Sequence, residues 1–199
     1  SVTMQYSIMQ RAMASGQRIF EVLDVPVQIK DEVDAQKHAT INGIVKFNNV
    51  TFGYVKNLPI LHDISFQADE GETIALVGPT GSGKTSITAL AHRFYDVWSG
   101  KVTIGGYDVK SMTQASLGRH IGMVLQEPFL FTGSIAENIK YANSTATLAD
   151  IEKAAILVGA HNFIVNLTKG YDTTLEQRGS NLSLGQRQLI SYARAIVAD

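Results

Sequence analysis

The sequence predicts an α/β fold: a mixed sheet with an antiparallel β lead-in, followed by an α-helical subdomain. Three observations carry this. The segments "IVKFNNVTFGY" and "LHDISFQA" alternate apolar and polar residues, as half-buried strands do. The near-continuous apolar run "GETIALVG" fits a strand buried on both faces of a mixed or parallel sheet, and it passes at once into an amphipathic segment. From Thr147 to Leu167 the apolar spacing turns helical, with Thr147 and Asp150 placed to form a capping box.

The elements follow in order. Met4, Ile8, Ala12, Ile19, Phe20 and Leu23 fall near one face of a helix, which Pro26 stops soon after. Residues 25–43, "VPVQIKDEVDAQKHATING", are polar, lack periodicity and end in Asn-Gly, which reads as a linker. After the two alternating strands and the apolar run comes "KTSITALAHRFY", a helix with Ile87, Leu90, Ala91 and Phe94 on one face. "GKVTIGGYDV" predicts a strand leading into a glycine turn, and "HIGMVLQ" a further buried strand. Leu189, Ile190, Ala193, Ile196 and Val197 make the apolar stripe of a last helix. No internal repeat or low-complexity tract interrupts the pattern.

A chain of 199 residues suits one domain with a short appendage, and 45% hydrophobic residues exclude a disordered chain. A formal charge of −1 gives no basic surplus of the kind a dedicated nucleic-acid binder carries, so nucleic acid is not an expected partner. Zero cysteines exclude disulfides and thiol chemistry. No apolar run is long enough to cross a membrane. The chain starts without Met and stops within the helical pattern "ARAIVAD", so we read it as a piece of something longer. The five histidines, His38, His62, His92, His120 and His161, lack paired metal spacing and are read as surface or core residues.

The chemistry lies in "GPTGSGKT", Gly78 to Thr85, which matches Gly, four residues, then Gly-Lys-Ser/Thr. Its place between a buried strand and a helix is the one the chemistry requires. Gly81 and Gly83 let successive amides turn inward around phosphates, Lys84 brings a point charge to the outer phosphates, and the Thr85 hydroxyl suits Mg²⁺. The candidate nucleotide contacts are therefore Gly78, Pro79, Thr80, Gly81, Ser82, Gly83, Lys84, Thr85 and Ser86, and the fold is of the P-loop NTPase kind. A second anion site is suggested by "NLSLGQRQL". Ser183 and Gln186 have capping-box spacing, while Gly185 in the first turn costs stability and serves where something approaches the backbone closely.

"LSLGQ", about a hundred residues after the phosphate loop, resembles the signature of ATP-binding-cassette (ABC) proteins, whose Walker A motif the loop matches. Tyr54 in "FGY" sits where this family stacks adenine, and Gln126 in "VLQEPFLF" matches its Q-loop. "GSIAENI" and "GYDT" resemble the helical subdomain of ABC exporters, and "RIFEVLD" the cytoplasmic end of an exporter's last transmembrane helix. The resemblance implies residues 1–24 as that helix end, 25–43 as linker and 44–199 as the cassette, with a helical subdomain at about 127–189. It implies ATP and Mg²⁺ as cofactors, with Lys84 and Gln126 catalytic and Thr85 and Gln126 at the metal. It further implies a head-to-tail dimer in which Ser183, Gly185 and Gln186 face the γ-phosphate held by a second nucleotide-binding domain. ATP would close the dimer and hydrolysis reopen it, driving transmembrane domains of the same polypeptide from the cytoplasmic face of a membrane.

Three departures stand out. Leu184 replaces the usual signature glycine at the first helical position, where any side chain is tolerated. Gln177 precedes Arg178 where the family commonly has glutamate. The Walker B strand, its aspartate and the catalytic glutamate, which the family places after "ARAIVAD", are not in this stretch, so the fold is expected to be truncated before Walker B. Asp199 is not read as that aspartate, nor Glu127 as the base. The piece alone is expected to hydrolyse ATP negligibly and fold poorly. The alternatives are a degenerate, non-hydrolysing cassette of a heterodimer and a soluble DNA-maintenance ABC ATPase. The latter is disfavoured because no long coiled coil separates the two motifs. An importer or translation-associated cassette lacks the leading helix.

Overall fold

Alternating patterning becomes a four-stranded antiparallel sheet in the computed structural model, which describes residues 2–38 and 40–198. Strands β1 (Val45–Phe52), β2 (Leu61–Ala68), β3 (Ser99–Ile104) and β4 (Tyr107–Asp108) lie in the order β2-β1-β3-β4. Phe47, Val50 and Phe52 of β1 face inward with Leu61, Val102 and Ile104, and Leu90 of helix α2 (Lys84–Ala91) closes this first core. Phe47 stacks on Phe66 at 4.7 Å between ring centres, a cross-strand pair that fixes the β1–β2 register.

Two expected strands are absent from this sheet. Residues 72–78 and 121–125 carry no ladder among the described residues, and Ile74, Leu76, Val77, Val124 and Leu125 are exposed. An apolar run records an intended burial, whereas a strand also needs a neighbour offering backbone donors and acceptors at matching spacing. These runs have no such neighbour here. The antiparallel lead-in and the helical part stand as expected, and the strands buried on both faces do not. Asp199 lies outside the described residues.

Helix α2 ends at Ala91, earlier than its apolar pattern suggests, in a Schellman motif. The Phe94 amide donates to the Ala89 carbonyl at 2.9 Å and the Arg93 amide to Leu90 at 3.0 Å. Arg93 holds the left-handed position of that motif, with φ 51°, where glycine is the default. Its buried side chain explains the exception. The guanidinium donates to the carbonyls of Lys30, Lys110 and Met112 and pairs with Asp96 at 3.2 Å.

Those bonds also correct the picture of residues 25–43 as a plain linker. Asp31 accepts from the Gln114 amide at 2.8 Å, and Gln36 bridges Met112. The His38 ring stacks on Tyr107 at 3.8 Å. The segment is strapped along helix α3 (Gln114–His120) by polar contacts, which leave no hydrophobic period to read. The leading helix α1 (Val2–Leu23) forms as expected, yet its apolar side chains remain exposed.

The second core is helical. Helices α4 (Ile135–Lys140), α5 (Leu148–Leu157) and α6 (His161–Val165) bury Ile135, Ile139, Ile151 and Ile164 against Ile190 and Ala193 of α7 (Leu184–Val197). A two-stranded ribbon, β5 (Gly133–Ser134) with β6 (Thr174–Leu175), closes one end. Capping boxes start α4 at Ser134 and Glu137, α5 at Thr147 and Asp150, and α7 at Ser183 and Gln186. The cluster extends through Val197, so α7 serves it from Leu189 to its last residue.

Candidate phosphate-binding cleft

The glycine loop joins the exposed run 72–78 to α2. Gly83 is the N-cap of α2 and offers no side-chain oxygen to the first-turn amides, which leaves that helix end to an external acceptor. Gly81 and Gly83 both have φ 87°, a region closed to most side chains. A Cβ on Gly83 would come within 2.6 Å of Leu61 Cδ2, so the loop presses directly on the first core.

Lys84 turns back over the loop. Its Nζ donates to the carbonyls of Gly78 and Pro79, both at 2.8 Å, and to Ser82 Oγ at 3.3 Å. All three ammonium hydrogens are thus engaged, and a phosphate in their place would offer a charged acceptor and a stronger bond. Around this loop lies a cleft of about 380 Å³, lined by Tyr54, Ile60, Thr80, Gly81, Gly83, Lys84, Thr85, Ser86 and Gln126.

The fold therefore brings together residues from three separated stretches. Tyr54 follows β1, and its hydroxyl lies 2.9 Å from Ser86 Oγ on α2. Its half-exposed ring stands edge-on to Phe52 and Tyr95, with centres 5.1 and 5.0 Å apart. Gln126 arrives from the segment after α3, and its neighbour Glu127 is exposed and lines no part of the cleft. The oxygens of Thr85 and Gln126, which both line the cleft, are hard, neutral donors of the kind that suits Mg²⁺ beside phosphate oxygens. Sequence reasoning missed Ile60 and Tyr95. Ile60 sits in a turn without periodicity, and Tyr95 follows the end of α2, where its pairing with Tyr54 depends on the tertiary path.

Ser183, Gly185 and Gln186 are not part of this cleft. The Ser183 amide donates to Gln186 Oε1 at 2.9 Å, and the Gln186 amide donates to Ser183 Oγ at 3.3 Å. Leu184 is the first helical residue and is half exposed, and a Cβ built on Gly185 would meet nothing within 4 Å. The helix mouth is open to approach from outside. The family model described as "ABC transporter" matches residues 61–199, which includes both the loop and this helix.

The chain belongs to the ABC transporter family. Domains of this family bind ATP. The Bacillus subtilis protein YfiC, an uncharacterized ABC transporter ATP-binding protein, is 46% identical over 98% of the chain and 32% of its own length. A fatty acid ABC transporter ATP-binding/permease protein of Mycobacterium bovis is 40% identical over 97% of the chain and 30% of its own length. Among solved structures, a bacterial Atm1-family ABC exporter with ATP bound matches 98% of the chain and 34% of its own, with TM-score 0.87 and 36% identity. The cassette is thus homologous to those of ABC exporters and spans about a third of the relatives it matches. Among the described residues, no helix is long and apolar enough to cross a membrane.

Proposed function

We propose that this cassette binds and hydrolyses ATP to drive an exporter, acting as one of a pair. The observation that carries the reading is the split between two anion-ready helix ends. One lies in the cleft with Lys84 and Gln126, and the other, at Ser183, is not part of it. A chain with one triphosphate cleft and a separate open terminus is well suited to complete the cleft of a second cassette.

In this reading Tyr54 stacks on the base, while Gly78 to Ser86 wrap the phosphates and Lys84 moves from the loop carbonyls to the outer phosphates. Thr85 and Gln126 would hold Mg²⁺, and the ion would supply charge neutralisation for the phosphoryl group. Ser183, Gly185 and Gln186 approach the γ-phosphate of the partner cassette. Residues 1–24 continue from a transmembrane domain at the cytoplasmic face, 25–43 connect, and 44–199 form the nucleotide-binding part, with its helical subdomain at about 127–189. The names of the exporter relatives and the exposed apolar face of α1 support the membrane assignment.

The test uses the intact protein in membranes and a fluorescent ATP analogue. Lys84→Ala should weaken analogue binding by about tenfold or more, the loss of one charge-assisted phosphate contact. Ser183→Ala should leave binding to the cassette's own cleft within about twofold while lowering hydrolysis by about tenfold or more. Hydrolysis unchanged by Ser183→Ala removes the paired mechanism, and analogue binding indifferent to Lys84→Ala removes the site.

A further inference from the structure

The helical core is entered through the segment that follows Gln126 and left along α7; Leu130 packs in the same core as Ile190 and Ala193, and one arginine ties the two by directional bonds. Arg194, in the last turn of α7, donates from Nη1 to the Phe129 carbonyl at 2.8 Å. Its Nε donates to the Asn138 carbonyl at 2.8 Å, and Nη2 to Asn138 Oδ1 at 3.0 Å. Asn138 on α4 is 1% exposed and clamps the same entering segment. Its Oδ1 accepts from the Phe131 amide at 2.8 Å, while Nδ2 donates to the carbonyls of Phe131 and Ser134 at 2.9 and 3.0 Å. The guanidinium also lies over the rings of Phe131 and Tyr141, 5.6 and 5.7 Å from their centres.

A planar fork with three acceptors fixed on two backbone segments resists both sliding and rotation, which an ammonium on a flexible stem does not. One end of this connection is three residues from Gln126 in the cleft. The other is the helix whose N-cap is Ser183, roughly 16 Å further along its axis at 1.5 Å per residue. We propose that Arg194, acting through Asn138, is a positioning residue that locks the Gln126 segment to the Ser183 helix, so that displacement of Gln126 carries the Ser183 terminus with it. The inference rests on the paired-cassette reading given above. Arg194 touches no nucleotide; it makes the helical part turn as one body. Desolvation holds its pKa below the ordinary arginine value, in keeping with a guanidinium withdrawn from water to serve this joint.

The experiment is hydrogen exchange on the intact protein, with and without ATP, Mg²⁺ and vanadate, read at residues 79–86 and 183–189. In the unmutated protein, nucleotide should slow exchange at both segments, by about tenfold at 183–189. Arg194→Lys keeps the charge but loses the fork. It should keep the protection at 79–86 and reduce that at 183–189 to less than about twofold. Asn138→Asp keeps an acceptor for Phe131 and Arg194 but loses both Nδ2 bonds, and should show the same selective loss. Nucleotide protection at 183–189 that survives both substitutions overturns the proposal. So does nucleotide-independent exchange raised equally across 130–197, which marks a mere structural staple. Absence of protection at 183–189 in the unmutated protein overturns the paired-cassette reading, and this inference with it.

Discussion

Arg93 offers a prediction in which two opposing effects can be separated. Its φ of 51° places a β-carbon in the left-handed region at the end of α2, at a cost of about 1–2 kcal/mol relative to glycine. Against this stand bonds at 3.1 to 3.3 Å to three carbonyls and a carboxylate. Breaking a buried ionic cluster by removing one partner costs about 3–5 kcal/mol. Asp96 is 37% exposed and rehydrates, so the lower half of that range applies. Arg93→Ala keeps the strain and loses the bonds, giving a loss of about 3–4 kcal/mol. Arg93→Gly loses the same bonds but relieves the strain, giving about 1–3 kcal/mol. The order is therefore Arg, Gly, Ala in decreasing stability. Hydrogen exchange of the α2 amides and of residues 29–38 in the intact protein reads both losses, because Arg93 holds the strap as well as the helix end. A glycine variant as stable as the parent would show that strain dominates. An alanine variant equal to glycine would refute the assignment of that strain.

Two further outcomes follow from local geometry. Gly81→Ala and Gly83→Ala share the left-handed φ, but only the second drives a methyl into Leu61, so it should weaken ATP-analogue binding more, by about tenfold, in equilibrium titration. At α5, the bonds from the Thr147 hydroxyl and then its amide hold the Asp150 carboxyl below its ordinary range. Because the folded pKa is depressed, the cap's contribution is present above the unfolded value and is lost as pH falls through the folded one. Asp150→Asn should therefore flatten the acid limb of thermal unfolding below about pH 4.

How much could be read in advance varies with the kind of interaction. The capping boxes at Ser134, Thr147 and Ser183 are local in sequence, and the latter two were legible from spacing alone. The glycine loop was legible because its chemistry needs successive residues. The strands expected at 72–78 and 121–125 do not form because a ladder requires a neighbour, which an apolar run does not specify. The strap at residues 29–38 was hidden for the opposite reason, since polar and backbone contacts carry no period.

Sequence by itself determined the phosphate loop, the serine-capped helix mouth and the family, because each is written in contiguous residues whose spacing is its geometry. Tertiary structure alone decided that Tyr54, Lys84 and Gln126 share one cleft while Ser183 lies outside it. It also decided that two arginines, Arg93 and Arg194, bind distant segments together. A guanidinium reaches partners tens of residues away through directional bonds, and only the folded path of the chain sets which carbonyls stand within its reach.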